Sequence, residues 1–166
     1  MLDAIDLRIL RLLQQDARIA NAAIARDVGL APSAVFQRIR KLENAGIIQG
    51  YHARLDPAAL DRGLLAFVAV QTGEGARARE TAELLSAIPE VLEVHRVVGQ
   101  DCFFLKIRVR DTVALGRLLD EEIQTLPPVA GTRTTIVLST AKESSLPLPA
   151  VPDDVESADT TQSKAS

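Results

Sequence analysis

Tryptophan is absent, tyrosine occurs once and phenylalanine four times in 166 residues. So few rings give poor support for the aromatic stacking by which single-stranded nucleic acid is held. Cysteine occurs once, as Cys102, so an intramolecular disulfide is impossible and the chain suits a reducing cytoplasm. No apolar run approaches the ~18 to 20 residues of a membrane span, and the N-terminus lacks the charged-then-apolar pattern of a secretory signal. The two histidines, His52 and His95, share no metal-ligand spacing with each other or with Cys102. Neither a phosphate-cradling glycine loop nor a nucleophile elbow is present. No metal, cofactor or catalytic motif is therefore legible in these residues.

What is present is apolar material in quantity, 47% of the chain, enough for a real core in one ordinary domain or two small ones. The net charge of −3 excludes a protein basic all over, but it is unevenly spread. Residues 1–62 carry +2, residues 63–140 carry −2 and residues 141–166 carry −3. A mildly basic N-terminal module on a neutral-to-acidic body fits nucleic-acid binding by the first part.

The first 56 residues are periodic at helical spacing. In "LDAIDLRILRLLQQDAR", Leu2, Ile5, Ile9, Leu12 and Leu13 form one stripe, with Asp3 and Asp6 in the first turn, where negative charge suits the helix dipole. "NAAIARDVG" predicts a second helix with Asn21 as its N-cap, Ile24, Ala25 and Val28 inward, and Gly29 as a left-handed stop. A third starts near Pro32, a residue suited to a first helical position, and ends by Gly46. Three short helices with a tight turn between the last two have the spacing of a helix-turn-helix. "IIQGYHARLD" then predicts a short strand or wing, and residues 57–63 a helical turn and linker.

On the third helix, Val35, Ile39 and Leu42 fall in one narrow stripe and must face the core. Opposite lie Ser33, Gln37, Arg40, Lys41 and Asn44, with Phe36 and Arg38 on the flanks. On an isolated helix such a polar face is usually solvated surface. Behind two other helices and a tight turn, it is the face that enters the major groove. Ser33, Ala34, Gln37 and Arg38 are then the candidate base readers, since Gln suits adenine and Arg suits guanine. Arg40 and Lys41 are the candidate phosphate contacts.

From residue 64 the pattern changes. Strands are predicted at 64–72, 91–99, 102–110 and 132–140, and helices at 77–88 and 112–126, the first closed by Pro89 and the second by Pro127-Pro128. The order βαββαβ is the ferredoxin-like arrangement, so the fold class is α+β. Its two helices cover one face of the sheet, yet the first strand is apolar on both. Leu65, Phe67 and Ala69 lie on one face, and Leu64, Ala66, Val68 and Val70 on the other. The same sheet of a second copy is the economical cover, which implies a homodimer at least. After Leu148 the chain turns to Pro, Ser, Asp and Thr without a period, as a disordered tail over 149–166 does.

Between the second and third strands stands Gly99-Gln100-Asp101. Gly99 allows a close backbone approach, N–H groups there can hold a carboxylate, and Asp101 can take an ammonium. Thr132, Thr134 and Ile136 alternate onto one face of the last strand and are candidates to complete a pocket. Gly and Asp are also common in plain β-turns, and the residues alone leave both readings open. His95 most simply sits on a strand's exposed or interface face.

The quoted residues carry a resemblance. "LDAIDLRIL", "LQQDAR", "IARDVGLAPSAVFQRIRKLENAGIIQGY" and "LDP" resemble the N-terminal domain of the Lrp/AsnC (leucine-responsive and asparagine-responsive) family of regulators. "VVGQDCFFLKI" and "TLPPVAGTRTTIVL" resemble that family's second domain, and the coverage is nearly everything before the tail. The chain departs from the family at Ala31, where a serine often precedes the proline, so a helix cap of roughly 1 kcal/mol is missing. The resemblance implies a winged helix-turn-helix over 1–56, a linker over 57–63 and a ferredoxin-like effector and oligomerisation domain over 64–141. It implies a transcriptional regulator that binds a pseudo-palindromic duplex as a homodimer, assembling further into a tetramer or octamer. Its effector, a small molecule and by family analogy an amino acid, would lie at Gly99, Gln100 and Asp101 between neighbouring dimers. Decarboxylases acting on sirohaem also resemble this two-domain plan, so a tetrapyrrole-acting enzyme using a histidine is the alternative.

Overall fold

The structure, a computed structural model, describes residues 2–144 and 147–149. The described residues divide into two compact units, residues 2–54 with 143–144 and 147–149, and residues 55–142. Of the tail expected over 149–166, only Pro149 falls among the described residues.

The first unit holds α1 (Ala4–Gln15), α2 (Asn21–Val28) and α3 (Pro32–Asn44). α1 opens on a capping box: Asp3 accepts the Asp6 N–H at 2.7 Å while Asp6 accepts the Asp3 N–H at 3.2 Å. Two N–H groups that the helix leaves without partners are thereby satisfied. α2 starts one residue earlier than expected. Ala20 is its cap residue and makes no side-chain cap, so Asn21 is already helical. Gly29 ends it at φ 67°, and the Leu30 N–H closes back on the Ala25 carbonyl at 3.0 Å. Three residues later α3 begins at Pro32, with Ala31 giving no side-chain cap. Gly46, at φ +68°, stops it, and the Ile47 N–H returns to the Leu42 carbonyl at 3.0 Å. Of the two isoleucines, Ile48 packs on the three-helix core and Ile47 is exposed.

That core is Ile9, Leu10, Ile24, Ala25, Val35, Ile39 and Leu42, with Leu148 packed against it. Leu2 lies outside it, exposed ahead of α1, and Leu10 takes a buried place instead. The strand expected in "IIQGYHARLD" is not formed. A lone strand leaves its backbone N–H and C=O groups unpaired, and Gly50 interrupts the apolar alternation that would drive pairing.

The second unit holds β1 (Leu64–Thr72), α4 (Ala78–Ser86), β2 (Val91–Arg96), β3 (Phe103–Val109), α5 (Thr112–Arg117) and β4 (Val129–Ile136). The antiparallel sheet has the order β2-β3-β1-β4, as a ferredoxin-like fold requires. After Arg117 the last helix widens into a π-helical turn, Leu118–Ile123. β4 lies about three residues nearer the N-terminus than its β-branched run implies, because its partner sets its length. Ala66 pairs with Ile136 and the Val137 N–H reaches the Leu65 carbonyl, after which β1 has almost no backbone left to offer. At the other end, a bulge at Gln71/Thr72 lets Val129 join the ladder.

Ala66, Val68 and Val70 of β1 join Phe103, Leu105, Ile107 and Val109 of β3 in a core closed by Leu85, Leu115 and Ile123 from the helical segments. The opposite face carries Leu65, Phe67 and Ala69, and register places Arg108, Lys106 and Phe104 beside them. Leu65 and Ala69 are buried within the single chain, whereas Phe104 is exposed and pairs its ring with Phe67 at 6.0 Å. The second face is thus an apolar strip bordered by cations rather than a wholly apolar surface.

Candidate functional site: a helical reading face and a charged turn

In the first unit α3 displays Ser33, Gln37, Arg40 and Lys41 to solvent, with Ala34 half-buried. This is the surface that the 100° spacing demands once Val35, Ile39 and Leu42 are committed to the core. Arg38 is placed differently. Its Nη1 donates to Asp3 Oδ2 at 2.6 Å and to Asp6 Oδ1 at 2.7 Å, so one guanidinium joins the start of α1 to the middle of α3. The Asp3 carboxyl is held below its ordinary value, first by the Asp6 N–H and then by Arg38. Arg38 in turn holds its proton more firmly because of Asp3 and Asp6. Asp6 is buried, so withdrawing Arg38 toward a base would strand a carboxylate in the protein. Arg38 is therefore a brace between α1 and α3 in this arrangement, an engagement that no helical projection could supply.

The other flank of α3 is open. Phe36 is 45% exposed, and the Arg40 guanidinium carbon lies 5.6 Å from its ring centroid. Further along, the Tyr51 hydroxyl donates to Glu43 at 3.1 Å. Burial, with Glu43 nearby, raises the Tyr51 pKa. A second bridge, Arg8 to Asp27 at 2.6 and 3.0 Å, ties α1 to α2, and Arg8 lowers the Asp27 pKa.

In the second unit the turn after β2 bends at Gly99, with φ +144°. The Val97 N–H closes on the Cys102 carbonyl at 3.0 Å, and the Cys102 N–H reaches the Val70 carbonyl at 2.9 Å. The turn is so pinned to the end of β1. Gln100 is exposed, while the Asp101 side chain is only 14% exposed. Asp101 Oδ2 accepts from Arg133 Nη2 at 2.5 Å. Its Oδ1 is buried and has no partner among the described residues. Thr72 donates its hydroxyl to Cys102 Sγ at 3.1 Å and draws that thiol's pKa down.

Thr132, Thr134 and Ile136 do share one face of β4, since they oppose Val70, Val68 and Ala66, but that is the face the helices cover. Arg133, between the two threonines, opposes Ala69 on the other face and is the residue that reaches Asp101. The turn and the threonines flank the same end of β1 without converging within one chain. Sequence reasoning passed over Arg133, although its odd-numbered place in β4 was the available signal.

His95 faces outward on β2, its Nε2 3.0 Å from Glu93 Oε2, with Lys106 Nζ 3.1 Å from the same carboxylate. His95 and then Lys106 lower the Glu93 pKa. His95 and Glu93 of this triad are exposed and Lys106 is largely covered, and among the described residues no cluster of His, Cys, Asp and Glu could hold a metal. A charged cavity of about 320 Å³ opens at the opposite end of the sheet from Asp101, lined in part by Arg62, Glu90, Arg110 and Arg117.

Residues 2–49 match the family model described as winged helix-turn-helix DNA-binding, and residues 65–147 that of the Lrp/AsnC ligand binding domain. The leucine-responsive regulatory protein of Escherichia coli K12 is 41% identical over 145 residues, covering 86% of this chain and 88% of that protein. Its counterpart from Salmonella typhimurium is 42% identical over 147 residues, with the same coverage. Among solved structures, a transcriptional regulator of Neisseria meningitidis in complex with L-Met superposes with a TM-score of 0.84 at 32% identity, covering 89% of this chain and 97% of that one. Escherichia coli AsnC superposes with a TM-score of 0.83 at 28% identity, covering 88% and 98%.

Proposed function

Because the chain belongs to the Lrp/AsnC family and is a DNA-binding transcriptional regulator rather than an enzyme, we propose that it answers to an amino acid received at Asp101. The observation that carries this is the half-served carboxylate. One oxygen of Asp101 holds Arg133, and the other is buried without a donor. An unpaired buried acceptor costs about 1–3 kcal/mol, which a ligand ammonium would recover. Arg133, 64% exposed, remains open to a carboxylate. The pair thus offers a zwitterion one group for each of its charges, with Gly99 and Gln100 supplying backbone beside it. The L-Met complex of the meningococcal relative supports an amino acid as the ligand class. The tetrapyrrole alternative gains nothing from His95, which is engaged with Glu93 on an exposed strand.

DNA is read by α3, with Ser33, Ala34 and Gln37 toward base edges and Arg40 and Lys41 toward phosphates. The regulator works in the cytoplasm as a homodimer closed over the Phe67 and Phe104 face, and dimers assemble into a tetramer or octamer. Thr132, Thr134 and Ile136, which do not meet Asp101 within one chain, would complete the pocket from a neighbouring copy. Two reading helices on a two-fold axis call for a pseudo-palindrome with half-sites about one helical turn, ~34 Å, apart or a multiple of it.

The test is a thermal-shift screen of the twenty amino acids, since a ligand of the native state raises its apparent stability. Calorimetric titration of wild type and Asp101→Asn with the best ligand follows. A lost charge-assisted bond corresponds to roughly tenfold to a hundredfold weaker binding. Equal affinities would place the site elsewhere.

A further inference from the structure

We propose that Phe36 is a base-reading residue of α3, and that it takes the C5-methyl group of a thymine in the major groove. The inference rests on the reading of α3 as the DNA-contacting helix and adds to it a base identity and a residue.

Phe36 does no packing work that explains it. Val35, Ile39 and Leu42 already supply the core face of α3, and Phe36 stands 45% exposed beside them. A lone exposed apolar residue is ordinary on a protein surface and by itself means nothing. Three observations set this one apart. Phe36 is the fifth residue of a helix that begins at Pro32, within the N-terminal part that reaches base edges in a helix-turn-helix. Of its nearest helical neighbours, Ser33 and Arg40 are exposed and Ile39 is buried, so the ring stands on the flank where the polar face borders the core stripe, open to solvent. Lastly, the Arg40 guanidinium lies over the ring at 5.6 Å. A cation over an aromatic face limits where both groups go: the ring is held against the helix, and the charge is held at the rim of the face, where a phosphate passes.

The placement of Arg38 sharpens the base identity. Arg38, the residue suited to guanine, is turned away to Asp3 and Asp6. The groups left near the start of α3 are the Ser33 hydroxyl, the Gln37 amide, the exposed Phe36 ring and the methyl of Ala34, which is half-buried and much shorter. In the major groove an amide of Gln matches adenine, and the apolar group on offer is the thymine methyl. A phenyl ring has no donor or acceptor for the edges of guanine or cytosine, so contact with them would cost desolvation without return.

The experiment uses the full chain. Its preferred duplex is first selected from a randomised pool, and each thymine in the selected site is then replaced singly by deoxyuridine, which removes only the methyl group. Wild type, Phe36→Ala and Phe36→Leu are titrated against each duplex. Because Phe36 is exposed, the variants should keep the wild-type melt. At one thymine position per half-site, wild type should lose about threefold to tenfold in affinity on deoxyuridine replacement. Phe36→Ala should bind the thymine duplex more weakly by a similar factor and be indifferent to the replacement, while Phe36→Leu keeps part of the discrimination. A selected site in which no replacement affects wild type, or in which Phe36→Ala stays as sensitive as wild type, overturns the proposal and leaves the reading of α3 standing. Binding without any selected sequence would instead remove base reading by α3 altogether, and Phe36 with it. A Phe36→Ala protein unchanged on DNA but altered in subunit number by light scattering would make the ring a protein contact, which also overturns the proposal.

Discussion

Among the described residues, the core of the three-helix unit is made of seven buried apolar side chains, against thirteen in the helix-covered core of the sheet unit. The means of joining elements differ as well. β1, β2, β3 and β4 are tied by backbone ladders whose register leaves little freedom. Helices have no such ladder between them, because each spends its backbone groups on itself. In the first unit side chains do the joining: Arg38 binds α3 to α1, and Arg8 binds α1 to α2. The sheet unit has ion pairs too, and Lys106–Glu93 and Arg133–Asp101 are non-local, but they lie between parts of a sheet that backbone ladders already join. A small helical unit is therefore held by a few charged contacts that single substitutions can break, and a sheet unit by many apolar ones that they can only thin.

The largest effect tests the sheet side. Phe103 is fully buried, and Phe103→Ala should cost about 3–5 kcal/mol in denaturant unfolding, the range for emptying an aromatic site. A loss below 1 kcal/mol would mean that the core collapses around the gap and is softer than described.

The next tests the helical brace. Arg38→Ala leaves the buried Asp6 carboxylate without its cation and should cost about 1.5–3 kcal/mol. It carries a pH signature. The folded pKa of Asp3 lies below its ordinary 3.8, so its stabilisation is present above that value and lost as pH falls through the lower folded pKa. Melting followed below about pH 4 should show wild type losing this contribution and Arg38→Ala losing less of it. Parallel acid profiles for the two proteins would show that the pair does not act as a brace in solution.

Reading and bracing should also separate. Gln37→Ala should leave the melt unchanged and narrow the gap between specific and random DNA by about 1–3 kcal/mol. Lys41→Ala should weaken all duplexes alike and reduce the slope of log affinity against log salt by about 0.9. Filter binding over a salt series distinguishes the two. The smallest effect comes from Ala31→Ser, which supplies the absent cap of α3 and should add about 1 kcal/mol, a rise of a few degrees in Tm.

β1 was legible to the residue because glycines bound it and both of its faces are apolar. The end of α3 was legible because Gly46 is the residue that a left-handed stop favours. β4 was misplaced by three residues, since a strand ends where its partner ends, and composition does not record the partner. The π-helical turn at Leu118–Ile123 was invisible for a related reason: one slipped hydrogen bond barely alters apolar spacing. In the sites, the exposed set of α3 followed from helical geometry, but the engagement of Arg38 depends on where α1 lies. The face of β4 that meets Asp101 depends on a register that only the folded sheet fixes, and so Arg133 was missed in favour of Thr132 and Thr134.

The engagement of Arg38 has an evolutionary consequence. The groups that hold α3 in place and those it leaves exposed are different residues on different sides of one helix. Ser33, Phe36, Gln37 and Lys41 can therefore be exchanged without disturbing a single core contact or the anchor to α1. A duplicated copy of such a gene could drift to a new operator through surface changes alone, each neutral for folding, while sharing the same scaffold as its parent.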